Sequence, residues 1–431
     1  MLLENQRPMR AKEIKVVTDH LARARRQAIR FLASFLLVTI LFGFGFGLTQ
    51  DKYGDLPLAC QVIPLLKAKY YRPLSLSRLV RTYLQTGNVP ALLSCLGDPY
   101  TKYLTAEEYN RLLEENKGVY GGIGLYLEYT DGYLVVFKTI NNSPAARAGL
   151  QPGDRITAIN HQPTAGLTKE AAVGAILGPP GTKVVLTVQR GSTLPAQDIT
   201  LTRALIDPSV EWEIRTDPQA GKIGWITLTQ FTEETGKDLD RALRIFAREQ
   251  VAGVVLDLRY NPGGLLLSAL EVASHFLPGA EDIPLVSLQY RDQTTEHFYA
   301  YPNSHPSFPL VVLINEWSAS SSEIVASAIQ HLKAGVLVGN TSFGKGLVQD
   351  VIPLRGGGAL YLTVARYLTA GGYSIHQTGV TPDVRVTLPS VPRAGAGEAD
   401  LALLQVVDHL QTETALQILR QLITVRRRPA A

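Results

Sequence analysis

Hydrophobic and polar positions change rhythm several times along the chain. Residues 31–49 (FLASFLLVTILFGFGFGLT) hold no charge and no polar stripe. From 50 to 117 the apolar positions are sparse and spaced for short helices. Arg-Pro-Leu-Ser at 72–75 opens one, which Gly87 closes. Thr105-Ala-Glu-Glu108 is a capping box that starts another, running to about Asn116 with Gly118 after it. Between 118 and 204 the period shortens to that of strands, at 123–129, 132–140, 155–159, 183–190 and 199–205, with Gly-Asp, Pro-Gly and Asn-Asn turns between them. One helix, 168–177, interrupts them and ends at Gly178-Pro-Pro-Gly181. From 205 to 390, continuous apolar runs at 222–228, 253–259, 310–315 and 335–339 alternate with helical patterns at 234–249, 264–277 and 321–332; more strands follow near 350–365. Apolar runs between helices predict strands buried on both faces of an α/β core. A Pro/Gly/Ala linker (391–398) leads to an amphipathic helix over 399–424.

The expected organisation is therefore a basic tail (1–30), an apolar segment (31–49), a helical segment (50–117), a small β-module with one helix (118–204), an α/β core (205–390), and a linker with a C-terminal helix (391–431). Charge sharpens the first two. Residues 1–30 carry eight Lys/Arg against three Asp/Glu, so +5 of the net +4 sits there and the remainder is about −1. Nothing basic is left for a nucleic-acid footprint, so no nucleic-acid partner is expected. Nineteen uncharged residues at ~1.5 Å each nearly cross a ~30 Å hydrocarbon layer. Arg23, Arg25, Arg26 and Arg30 precede them and Asp51 follows. The positive-inside rule then predicts a cytoplasmic tail and a single-pass anchor with the rest exported. A cleaved signal peptide is the alternative, but no A-x-A site follows. Cys60 and Cys95 are the only cysteines; they either pair or stay free.

The chemistry is first a matter of exclusion. There is no GxSxG elbow, HExxH, Walker loop or complete dinucleotide fingerprint, and no His/Cys/Asp/Glu run has metal-ligand spacing. No metal or cofactor is expected. Three segments remain: LDLRYNPGG (256–264), NEWSASSSEI (315–324) and TSFGKGLVQ (341–349). Taken singly they read as a turn, a helix cap and a loop. Taken together they put a serine cluster, a lysine and a glycine pair at strand ends, where α/β sheets place their sites.

In this order the segments resemble the C-terminal processing peptidases, or tail-specific proteases, over residues 95–390, from DPYT (98–101) to GVTPDV (379–384). The resemblance implies a crotonase-like (ClpP/crotonase) serine protease core with an inserted PDZ domain. It implies that Ser320 is the nucleophile, Lys345 the general base and Gln349 a supporting side chain. Gly263 and Gly264 match the oxyanion loop, with the Ser321 amide. The module at 118–204 resembles a PDZ domain, most strongly in SPAARAGLQPGDRITAIN (143–160). Gly122-Ile123-Gly124-Leu125 is then the carboxylate loop, and Ile123, Leu125, Val173 and Ile176 line an apolar groove for a substrate tail. The partners implied are protein substrates held by their C-termini. Relatives act in the periplasm or, in photosynthetic sources, in the thylakoid lumen.

The residues agree with that implication. No His/Asp pair in a triad-like context is available to activate a serine. A lysine serves only when neutral, so a pKa near ~10.4 must fall by roughly three, about 4 kcal/mol, through burial away from acids. Phe343, Leu347 and Val348 flank Lys345, and no carboxylate precedes Asp350. Ser342-Phe-Gly-Lys345 also fits the S-x-x-K pattern of penicillin-recognising enzymes, but Gly344 and Gly346 argue against the helix that pattern needs. His331 stands where many relatives carry an acid. A catalytically idle PDZ scaffold is the alternative from another functional class.

Overall fold

The computed structural model describes residues 54–118, 120–130, 133–140, 143–191, 195–206, 209–302, 305–386 and 398–427. They divide into two compact units, of which the smaller holds residues up to 64 and 75–98. Within it, α2 (Leu76–Thr86) ends on Gly87 in the left-handed conformation, as the sequence predicts. Asp55 ties this unit together by accepting from the Tyr83 hydroxyl and the Val89 amide, the latter at the start of α3 (Val89–Ser94). Helix α1 spans Leu56–Lys69. Cys60 and Cys95 are unbridged.

The larger unit opens with β1 (Lys102–Leu104) and α4 (Ala106–Lys117), whose capping box between Thr105 and Glu108 is present. A short ribbon of β2 (Tyr120–Gly122) and β9 (Ala204–Ile206) brackets the β-module. The module's sheet has the order β3-β4-β5-β7-β8, with β3 (Leu125–Thr130), β4 (Tyr133–Thr139), β5 (Arg155–Ile159), β7 (Lys183–Gln189) and β8 (Gln197–Thr202); β6 (Gln162–Pro163) pairs with β5. Helix α5 (Pro144–Arg147) is a single turn, and α6 (Lys169–Ile176) lies along β3. Strand β3 is the sheet's edge.

The core sheet runs β10-β11-β12-β15-β16-β19. Strand β10 (Val210–Asp217) is antiparallel to β11 (Gly221–Leu228); β12 (Gly253–Asp257), β15 (Leu310–Ile314), β16 (Val336–Gly339) and β19 (Val384–Arg385) follow in parallel. Every residue of β12 and β15 is buried. Strand alternation sends Ile226, Leu228, Val254, Leu256 and Val312 to one face, under α7 (Thr235–Arg248), α8 (Leu266–Phe276) and α9 (Ser321–His331). Ile223, Trp225, Val255, Val311 and Leu313 point the other way, onto Ala415, Leu419 and Ile423 of α10 (Glu398–Arg427). The result is an α/β/α sandwich. A second, antiparallel sheet of β1, β18 (Ala359–Thr369), β13 (Pro284–Tyr290) and β14 (Thr295–Tyr299), with β17 (Leu347–Pro353) on β18, packs against the far side of α9. Strands β10, β13 and β14 go beyond the sequence expectation.

The tail (1–30) and the apolar segment (31–49) lie outside the described residues. Among the described residues no helix is long and apolar enough to cross a membrane. The single-pass localisation with an exported catalytic part, and membrane contact through residues 31–49, are corrected on that finding. The longest described helix, α10, carries Asp408, Glu413 and Arg420 along its length and docks on the sheet through its apolar stripe.

Candidate active site

Parallel neighbours in a sheet send their C-terminal loops to the same edge. Strands β12, β15 and β16 are neighbours, so the loops 258–265, 315–320 and 340–346 converge there. These loops hold the three segments singled out by sequence. They enclose a cleft of about 290 Å³ lined by Ser320, Ser321, Gly263, Gly264, Lys345 and Gln349. Apolar walls come from Leu112, Leu266, Ile324 and Leu347, and among the described residues no carboxylate lines the cleft.

Ser320 sits at the turn from β15 into α9 with φ 55° and ψ −112°, a conformation that costs a non-glycine residue about 1–3 kcal/mol. Its neighbours hold it there. Asn261, fully buried, donates to the Leu228 carbonyl (2.8 Å) and accepts the Gly263 N–H (2.8 Å). The Asn261 carbonyl takes the Ala319 N–H (3.0 Å) and the Ser322 hydroxyl (2.9 Å). Ser318 donates to the Leu258 carbonyl and Ser321 to that of Gly264. Three serines of the cluster thus staple one loop to the next, while the Ser320 side chain faces the cleft.

Gly263 and Gly264 have φ of 101° and 152°, where only glycine is comfortable. A Cβ on Gly263 would lie 2.8 Å from Ser320 Cβ and 2.9 Å from the Ser321 nitrogen, filling the space beside Ser320. The Gly263 N–H is already donated to Asn261. Among the described residues the N–H groups of Gly264 and Ser321 have no acceptor. An oxyanion beside Ser320 would meet those two donors, the second at a helix N-terminus.

Lys345 emerges from a loop fixed by a carboxylate. Glu323, in the first turn of α9 and 0% exposed, accepts from the backbone N–H of Ser320 (2.8 Å), Gly344 (2.7 Å) and Lys345 (2.9 Å), and from the Ser342 hydroxyl (2.6 Å). Burial pushes its carboxyl up, against the pull of those four donors. One buried side chain therefore sets the spacing between the Ser320 turn and the Lys345 loop. Ser342 also accepts the Val380 N–H and lies in no helix, so Ser342-Phe-Gly-Lys345 is not an S-x-x-K arrangement. Lys345 Nζ lies 4.9 Å from the Tyr100 ring centroid. Next to Tyr100, Thr101 bonds Thr363, to whose hydroxyl Gln349 Nε2 donates (3.4 Å). The Tyr367 hydroxyl, its pKa raised by burial and then by the Glu323 charge, donates to the Ser320 carbonyl (3.3 Å). His331 is exposed at the end of α9 and does not line the cleft.

Sequence reasoning missed Glu323, Tyr100 and Tyr367. Glu323 stood in the quoted serine segment, where an acid in a first helical turn reads as dipole pairing. In the β-module, Leu125 and Val173 are partly buried between β3 and α6, whereas Ile123 (1% exposed) and Ile176 (4%) belong to the module's core. Gly124, at φ 78°, packs on Ser143, and Gly122 on Leu177.

Comparison with known proteins points the same way. The pattern of Peptidase family S41 matches residues 222–386, and that of the PDZ domain residues 138–190. The carboxyl-terminal-processing protease of Synechocystis sp. is 36% identical over 331 residues, 76% of each chain. The carboxy-terminal processing protease CtpB of Bacillus subtilis is 32% identical over 315 residues, 73% of this chain and 65% of that one. The chain thus spans about two thirds of one relative and three quarters of the other. A putative S41 protease from Bacteroides fragilis superposes with a TM-score of 0.50 at 20% identity, covering 82% of this chain and 97% of that structure, which speaks for the fold. With Ser320 and Lys345 on one cleft and a PDZ domain matched at 138–190, the chain belongs to the carboxy-terminal processing proteases of Peptidase family S41 and is a serine-type peptidase.

Proposed function

We propose that the chain hydrolyses peptide bonds near the C-termini of other proteins through a Ser320–Lys345 dyad. The observation that carries this reading is the cleft shared by Ser320, Lys345, Gln349, Gly264 and Ser321, with no carboxylate on its walls among the described residues. The reaction requires Lys345 in its neutral form, in which it accepts the Ser320 proton as Oγ attacks the scissile carbonyl. The oxyanion forms toward the Gly264 and Ser321 N–H groups, with Gly263 keeping the space clear. The lysine ammonium then protonates the leaving amine. Water, deprotonated by Lys345, attacks the acyl carbonyl, and the lysine ammonium returns that proton to Ser320 Oγ as the carboxylic acid product leaves. Gln349 supports the lysine side of the cleft from its contact with Thr363. No metal or cofactor takes part.

Substrate tails are recruited at β3, the sheet's open edge, with Leu125 and Val173 beside the added strand and Gly122 to Gly124 turned to the terminal carboxylate. The core is crotonase-like in this reading, with the module boundaries at 118–204 and 205–390. The test compares wild type with Ser320→Ala by mass spectrometry of substrate C-termini. Tails shortened only by wild type are expected. The rate should rise with pH through an apparent pKa well below 10, reporting neutral Lys345. Equal trimming by both proteins would overturn the proposal.

A further inference from the structure

Away from the cleft, the fold gathers three side chains that the sequence scatters. Asp240 lies on α7, His275 in the last turn of α8, and His305 in the segment before β15. One carboxylate oxygen and one ring nitrogen from each histidine lie within 4.8 Å of one another, half-buried. Gly236 makes this possible. A Cβ there would fall 2.1 Å from Glu271 Oε2 and 2.9 Å from Glu271 Cβ, so glycine is what lets α7 and α8 come so close.

The close approach puts His275 Nε2 3.2 Å from the Gly236 carbonyl oxygen. A carbonyl only accepts, so Nε2 holds the proton and the lone pair is on Nδ1. A backbone carbonyl on one ring nitrogen is the usual outer partner of a metal-binding histidine. His305 Nε2 is 2.8 Å from Asp240 Oδ1, and Arg244 donates to the same carboxylate from Nε (2.8 Å) and Nη2 (3.1 Å). Arg244 thereby orients the carboxylate, as outer partners of acidic ligands do.

We propose that Asp240, His275 and His305 form a structural divalent-metal site of the zinc type, completed by solvent. Two imidazoles and one carboxylate suit Zn²⁺, whereas Ca²⁺ and Mg²⁺ call for oxygen ligands. The metal replaces the proton between His305 Nε2 and Asp240 Oδ1, which moves to the ring's other nitrogen or, from an imidazolium, to solvent. The site clamps α7, α8 and the segment before β15. It sits at the opposite end of α8 from Gly263 and Gly264, about 14 Å along the helix. It stabilises the core and takes no part in peptide hydrolysis.

The test uses the full chain with Cys60→Ser and Cys95→Ser, so that thiols cannot bind metal. Titration calorimetry with ZnCl₂ should give one Zn²⁺ per chain. Scanning fluorimetry should show Tm rising by about 5 °C at a hundredfold excess over Kd, with no rise in MgCl₂ or CaCl₂. Co²⁺ should take on the visible absorption of a four-coordinate site. His275→Gln and His305→Asn should each lose binding and the Tm rise while keeping peptidase turnover. Absence of stoichiometric binding to the histidine-intact chain overturns the proposal, as does a Tm rise that survives in the chain carrying both His275→Gln and His305→Asn. If a histidine variant does not fold, the Co²⁺ spectrum of the histidine-intact chain decides.

Discussion

Around Ser320 nearly every polar group is tied down, whereas the β-module leaves the outer side of β3 open. Asn261, Ser318, Ser321, Ser322 and Glu323 link three loops so tightly that a strained serine and two left-handed glycines persist between them. On β3, the edge of a five-strand path, Leu125 and Val173 stay partly uncovered. The contrast fits what the proposed function asks of each surface. Acyl transfer needs donors fixed before charge develops, and misplacement by an ångström is costly. Tail capture needs unpaired backbone that a variable peptide can complete, with side-chain pockets adding selectivity.

The widest break in this contrast comes from the dyad. Ser320→Ala and Lys345→Ala should each lower kcat/KM by about 10⁴-fold or more with the circular dichroism unchanged, and the double variant should be hardly worse, because the two act as one unit. Lys345→Arg should fail as well, since a guanidinium stays protonated. Strong residual turnover in folded Lys345→Ala would assign the base elsewhere, first to His376, whose backbone packs beside Gly346.

Next come the parts that position rather than react. Gly263→Ala places a methyl group between Ser320 and the Ser321 amide and should cost about 10²–10³-fold in kcat with little change in KM. Glu323→Gln puts an NH₂ group among four donors and should lower kcat by about 10–100-fold, measured together with Tm. Wild-type kinetics from Glu323→Gln would show that the rigidity of the lysine loop is dispensable.

Smaller effects belong to the open edge. Amidating a substrate's C-terminus, or Val173→Asp, should raise KM by about tenfold while kcat on short peptides holds. Equal kcat/KM for acid and amide would remove the β3 edge from substrate choice. The smallest effect is on acid stability. Hydrogen bonds from Arg420 hold Asp217 down at about 2, below its ordinary 3.8. A carboxyl lowered in the folded state stabilises above the unfolded pKa and loses that stability as pH falls through the folded one. Thermal melts should therefore steepen in their pH dependence between about 4 and 2, and Arg420→Ala should flatten that slope.

Much of this was legible along the chain. The helix caps at Thr105 and Gly87, the buried strands 253–257 and 310–314, and the segments around Gly263, Ser320 and Lys345 are all local patterns. Strand β10 escaped because, at the sheet's rim, its charged residues dilute the alternation, and β14 because it is largely exposed. Ile123 and Ile176 read as groove residues from their positions, but the module needs them for its core.

The sequence by itself determined where strands end and which residues stand there, because hydrophobic period, caps and turn residues act over a few positions. It also carried the resemblance on which the dyad rests. Only the tertiary structure decided that Glu323 bridges the Ser320 turn and the Lys345 loop, that Tyr100 reaches Lys345, and that Asp240, His275 and His305 meet. Apart from Glu323 and Ser320, which share one helical turn, these residues are roughly twenty to some 250 positions apart, and no local preference encodes their distance. What brings them together is the order of parallel strands, and that order is fixed by burial of the whole sheet between its helices.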